Sequence, residues 1–325
     1  MMHYRDTILA WAEQGRLRPD QTPAALRLAG VRPTPSQWLR FLDRLLLWLS
    51  AVLLAAAVIF FFAYNWQALG HYAKFALVEG LLVLAVLLAW RVGLERATGK
   101  ATLVAAALLV GALLALVGQT YQTGADTYEL FTTWALAILP WVLVGRLTAL
   151  WLFWIGLVNL AAVLYFHVFG GLLWSVFGTV QLLWWLFGLN TTALALWEML
   201  ARRGIAWLNE RWPLRVLATA CGACITALTV WVIVDFRHIG MTPVYVYCVW
   251  SVVVYAVYRH YIRDLYVLAN SVLSGVVVVT CLLSRVLFES LGAYAGAFLL
   301  IGLVVIGLSA AGGWWLKTIA QEEQS

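Results

Sequence analysis

Charge is what this sequence lacks most. Asp, Glu, Lys and Arg make up only 11% of its 325 residues, against 64% hydrophobic residues and 19 tryptophans. Such a chain cannot clothe a water-facing surface, which excludes an ordinary soluble globular domain. Cysteine is scarce as well. Cys221, Cys224, Cys248 and Cys281 lie inside or at the edge of apolar runs, so no disulfide framework is implied. Signatures of catalysis and metal binding are missing: there is no HExxH, no GxSxG and no clustered set of histidine ligands. No catalytic residue, metal or cofactor is assigned on this basis. The stretch GLERATGKAT from Gly93 superficially looks like a phosphate loop, but its glycines are one residue too far apart. Ala101 also stands where Ser or Thr is required. The N-terminus shows no secretory pattern, because the first long apolar run begins near Leu45 after a polar stretch. The first membrane segment is therefore expected to remain in the mature protein.

What the chain has in place of charge is length of apolar sequence. About ten runs can cross roughly 30 Å of hydrocarbon: 45–64, 75–93, 101–118, 130–145, 147–166, 171–197, 214–234, 243–258, 265–284 and 291–316. Of the 21 Lys and Arg, all but Lys74, Arg237 and Arg285 fall on one side of the alternating connections these runs create. The positive-inside rule then places both termini in the cytoplasm and makes the number of spans even. The expected fold is an all-α, polytopic transmembrane helical bundle of about ten spans, N-in and C-in. A cytoplasmic helical appendage and the start of the first helix occupy 1–44, the transmembrane domain 45–316, and a cytoplasmic tail 317–325. The net charge of +6 is dispersed among short connections, which argues against nucleic acid as a partner.

The appendage predicts a first helix with Tyr4, Ile8, Trp11 and Ala12 on one face, ending at Gly15, and a second from Pro23 to Gly30. Thr34, Pro35, Ser36 and Gln37 match a capping box. The first membrane helix should therefore run from Pro35 to Tyr64, about 45 Å at 1.5 Å per residue, with its first turns in the interface. With so few apolar anchors, the appendage is expected to pack on the membrane domain rather than recognise a partner.

One polar interruption among the apolar runs is GQTYQTGADTYELF, Gly118 to Phe131, which contains no Lys or Arg. Charge partitioning puts it on the outer face. Gly118 and Gly124 permit turns, and Asp126 and the threonines can cap a helix beginning near Tyr128. Yet Gln119, Tyr121, Gln122, Asp126 and Glu129 hold more hydrogen-bonding capacity than a turn needs, so a ligand or partner surface stands beside the capped-loop reading. Glu79 lies in the second span within reach of Lys74 or His71. It is read as an interface-level ion pair or hydrogen bond to a neighbouring helix or, in a transporter, as a buried titratable group. Asn65, Trp66, His71 and Tyr72 share the outer face and build either a polar pocket or an aromatic belt.

Asn159 and Asn190 read as packing amides between helices, and Pro140 interrupts the fourth run. Gly188 and Asn190 suggest a bend or break in the sixth. Cys221 and Cys224, in CGAC, and the pair Gly292 and Gly296 supply small residues for helix packing.

The run GQTYQTGADTYELFTTWALAILPW, with Arg146, Leu150, Trp151 and Asn159 beyond it, resembles a bacterial family of predicted membrane proteins, domain of unknown function 2157. The resemblance is strongest over roughly 40–166. It implies a bacterial inner-membrane setting and supplies no activity or catalytic residues. The leading expectation is an integral inner-membrane protein, non-enzymatic, that binds a partner or ligand through an outward polar site made of Gln119, Tyr121, Gln122, Asp126, Glu129 and Glu79. Its partners would be membrane lipids and a membrane or envelope protein. The alternatives are a transporter or lipid-handling carrier, and a membrane enzyme acting on an envelope lipid or glycan with Asp126 and Glu129 as acid and base.

Overall fold

The computed structural model describes residues 2–18, 20–30, 35–64, 70–122, 124, 126–169, 178–235, 240–291 and 295–322. Among them the regular structure is entirely helical, in two compact units, Met1–Thr123 and Gly124–Glu323.

The first unit holds α1 (Met2–Glu13), α2 (Thr22–Leu28), α3 (Pro35–Tyr64), α4 (His71–Val92) and α5 (Ala97–Tyr121). Proline at the start of α2 and α3 suits the first turn, where its missing amide costs nothing. The α1–α2 pair buries Ile8 and Leu26 and packs on itself, with no comparable packing on α3, α4 or α5 among the described residues. The expectation that the appendage docks on the membrane helices is therefore not met, and Trp11 of the predicted apolar face is 43% exposed. Thr34, the expected N-cap of α3, lies outside the described residues, as do Asn65 and Trp66.

α5 packs against both α3 and α4. Its alanines make this possible: Ala101, Ala105, Ala106 and Ala107 are all buried, and small side chains let helix backbones approach in a membrane bundle. The α4–α5 connection turns at Gly93 (φ 86°), and Gly99 packs against the Gly93 carbonyl with no room for a Cβ. This explains the glycine spacing in GLERATGKAT: it builds a tight helix–helix turn. Gly118 lies within α5, so its predicted role in a turn is not fulfilled. The turn beyond it uses Gln122 (φ 43°) and Gly124 (φ 64°) instead.

The second unit holds α6 (Thr127–Gly145), α7 (Thr148–Phe169), α8 (Thr179–Arg202), α9 (Arg211–Val234), α10 (Thr242–Ala256), α11 (Leu265–Leu291) and α12 (Ala295–Glu322). Pro140 sits inside a continuous α6, and α8 runs unbroken through Gly188 and Asn190. The expected break in the sixth run is absent because Asn190 spends its amide within the helix and on its neighbour. It donates to the Leu186 carbonyl at 2.8 Å and to Asn159 Oδ1 at 2.7 Å, while Asn159 Nδ2 donates back at 3.3 Å. A fully satisfied amide pair needs no unwound backbone.

α9 is the hub, in contact with α8, α10 and α11. Leu217, Cys221, Ile225 and Leu228 lie in its buried stripe. In CGAC, Gly222 is the residue that matters: an added Cβ would stand 3.0 Å from Asn270 Nδ2 and 3.3 Å from the Trp250 ring. Close packing is thus the role of that motif. Gly312 of α12 likewise meets the Val272 side chain of α11, whereas Gly296 faces open space and Gly292 lies outside the described residues.

Among the described residues, eight helices, α4 to α9, α11 and α12, are long and apolar enough to cross a membrane. The other two expected spans are present as helices. α3 has 30 residues, and α10 has 15, extended by a π-helical turn over Val257–Tyr261. Large apolar side chains remain exposed along these helices, among them Leu84, Leu87 and Trp90 of α4 and Leu299, Ile306 and Trp314 of α12. In water such faces would drive aggregation; in lipid they are the solvent-facing surface.

Candidate functional site

In the first unit, α5 carries Gln119 and Tyr121 in its last turn, and Gln122 ends the helix in the left-handed conformation. Tyr121 leans on Phe75 of α4 with ring centroids 5.9 Å apart. Gln119 and Gln122 are exposed, and their amides make no hydrogen bond among the described residues. Glu79 is exposed and has no ion pair with Lys74 or His71 among the described contacts, while Lys74 is buried. The geometry explains this correction: a five-residue step turns about 140° around a helix, so Lys74 and Glu79 face different directions.

In the second unit, Asp126 occupies the N-cap position of α6 in extended conformation, but its side chain accepts no capping hydrogen bond. The turn is closed by backbone alone, Glu129 N–H donating to the Asp126 carbonyl at 3.0 Å. Glu129 accepts from Tyr128 Oη at 3.3 Å. Tyr128 in turn packs edge-on against Tyr165 and Phe169 of α7. Both carboxylates are exposed at the start of a helix, where its dipole favours negative charge.

A second polar assembly lies at the opposite end of this unit, where α8 ends, α9 begins, and α10 gives way to α11. Sequence reading missed it. The widened turn that closes α10, with the Ile262 N–H donating to the Val257 carbonyl at 2.9 Å, is an i→i+5 π turn. It brings Tyr258 Oη to within 3.2 Å of Glu198 Oε1. Arg211 Nη1 reaches the same carboxylate at 3.1 and 3.4 Å. Nearby, Asp264 is 4% exposed. It receives Arg215 Nε at 3.2 Å on each oxygen and accepts the Tyr266 N–H at 3.1 Å, capping α11. The Arg215 guanidinium also lies over the Tyr266 ring, 5.6 Å from its centroid, a favourable cation–π placement. Arg259 pairs with Glu322, joining the end of α10 to the end of α12.

Each of the two carboxylates, Asp264 buried and Glu198 partly buried, is thus matched by a cation and further donors, the condition under which burying charge is tolerable. The signal for Glu198 and Asp264 was present: Glu198 directly follows the apolar run 171–197 and Asp264 directly precedes the run 265–284, acids set against basic connections. Arg202, Arg203, Arg211, Arg215, Arg259 and Arg263 all cluster at this end of the unit, while the other end carries Arg285, bonded to Glu289 and the Ile233 carbonyl.

Two cavities open here. One of about 360 Å³ is lined by residues including Glu198, Arg202, Asn209, Arg211 and Tyr261. The other, of about 250 Å³, is lined by Arg259, His260, Arg263 and Glu322. Among the described residues no group of three or more His, Cys, Asp or Glu could hold a metal ion.

Helix length and apolar exposure define a multi-pass helical membrane protein. Residues 9–151 match the family described as Predicted membrane protein (DUF2157). The match begins within α1, takes in α2 and ends just inside α7. No curated protein and no solved structure matches the chain.

Proposed function

We propose that the chain is a multi-pass component of the bacterial inner membrane, with both termini cytoplasmic, that works without catalysis. In this reading it binds a membrane or envelope partner through the outward segment Gly118 to Phe131. The observation that carries the proposal is that Gln119, Gln122 and Asp126 of this segment are not consumed by the turn. Asp126 sits where a capping residue belongs and makes no capping bond, and the amides of Gln119 and Gln122 are exposed without a hydrogen bond among the described residues. A segment needed only to join two helices would use its acceptors on the free helix amides. Exposed, unengaged polar groups cost little in water and offer donors and acceptors to a partner.

Orientation follows from charge. The arginine-rich end of the second unit suits the cytoplasmic side, and the Asp126 end, poor in Lys and Arg, suits the outer side. Cross-linking and affinity purification from membranes of a bacterial host test the reading. Gln122→Ala combined with Asp126→Ala should deplete a co-purifying protein several-fold while leaving the amount and melting temperature of the chain unchanged. An undiminished set of co-purifying proteins would reject it.

A further inference from the structure

The cavity between the end of α8, the start of α9 and the π turn points to a function of its own, independent of the outward segment. We infer that it binds the phosphate group of an anionic phospholipid headgroup. Two guanidinium groups line it, Arg202 and Arg211, against the single carboxylate of Glu198. Arg211 uses only Nη1 on Glu198, and its Nε and Nη2 make no hydrogen bond among the described residues. Arg202 is exposed and has no ion pair among them. One unit of positive charge is therefore left over, with N–H donors in the fork arrangement that matches phosphate oxygens.

Asn209 and the Tyr261 hydroxyl add neutral donors, and the cavity lies at the first turn of α9, whose N-terminal end carries partial positive charge. The volume of about 360 Å³ accommodates a headgroup and not a whole lipid. The remaining wall, with Leu214 and Ile262, is apolar and stands where the membrane helices end. A phosphate carried on acyl chains satisfies both surfaces, its charge in the fork and its glycerol end toward the apolar wall. A free phosphate satisfies only the first. Basic pockets between helix ends are a recurrent way for membrane proteins to hold anionic lipid.

Glu198 makes the assignment testable, because it competes with the ligand for Arg211. Purified full-length protein in neutral detergent is titrated with dioleoyl-phosphatidylglycerol, with dioleoyl-phosphatidylcholine, and with inorganic phosphate as competitor, and bound lipid is counted by native mass spectrometry. Saturable binding of one phosphatidylglycerol, tighter than phosphatidylcholine and weakened roughly tenfold by Arg202→Gln, is expected from loss of one charged hydrogen-bonding partner. Glu198→Gln should lower the melting temperature yet raise phosphatidylglycerol affinity, a pairing that a purely structural role for Glu198 does not produce. Asn209→Leu provides a second weakening variant should Arg202→Gln misfold. Equal binding of the two lipids, or unchanged affinity in both weakening variants, overturns the inference. Displacement of the lipid by equimolar inorganic phosphate overturns its lipid part and assigns the pocket to free phosphate.

Discussion

The two ends of the second unit treat polar residues in opposite ways. At one, Glu198, Asp264, Arg211, Arg215 and Tyr258 are tied to one another across four helical segments, with Asp264 buried and Glu198 partly buried. At the other, Asp126 and Glu129 stand exposed, and Asp126 declines even the capping bond its position offers. Charge at the first end fixes the geometry of the bundle. Charge at the second makes no comparable cross-helix contact among the described residues. In a chain with so few ionisable residues, this contrast is what the proposed partner surface rests on.

Breaking the comparison begins with Asp264. Asp264→Ala removes the Arg215 pair and the α11 cap together, and should cost about 3 kcal/mol, discounted for the partial exposure of Arg215. Thermal unfolding in detergent reads it as the largest drop among the variants named here. Glu198→Ala strands Arg211 and Tyr258 and should cost about 2 kcal/mol by the same measurement. Asn190→Leu leaves Asn159 with its own Ile155 carbonyl but no cross-helix partner, and should cost about 1 kcal/mol. Smallest of all, Gln122→Ala and Asp126→Ala should each move stability by less than about 0.5 kcal/mol. A loss at Asp126 as large as that at Asp264 would erase the distinction between the two ends.

Much of this architecture can be read without coordinates, because the membrane imposes one-dimensional rules. Apolar length marks spans, and arginine placement marks the ends, so the helices fall close to the predicted runs. α3 spans Pro35–Tyr64, the range its capping-box residues and first apolar run imply. Pairings across the bundle resist such reading. Nothing local tells that Glu198 will meet Tyr258, sixty residues away, or that Arg215 will meet Asp264, because helix rotation decides both. The same rotation sends Lys74 inward and Glu79 outward, undoing an ion pair that proximity in sequence had suggested. The break expected at Asn190 failed for a related reason: its partner, Asn159, lies on another helix.

Sidedness is the claim on which both functional proposals depend most directly for their biological meaning, and it can be measured in one experiment. With the four native cysteines replaced by alanine, Gln122→Cys and Asn209→Cys are each labelled in intact bacterial cells with a membrane-impermeant maleimide that passes the outer envelope. The account predicts labelling at 122 in intact cells and at 209 only after the inner membrane is opened. Labelling at 209 from outside, with 122 protected until the membrane is opened, would contradict it.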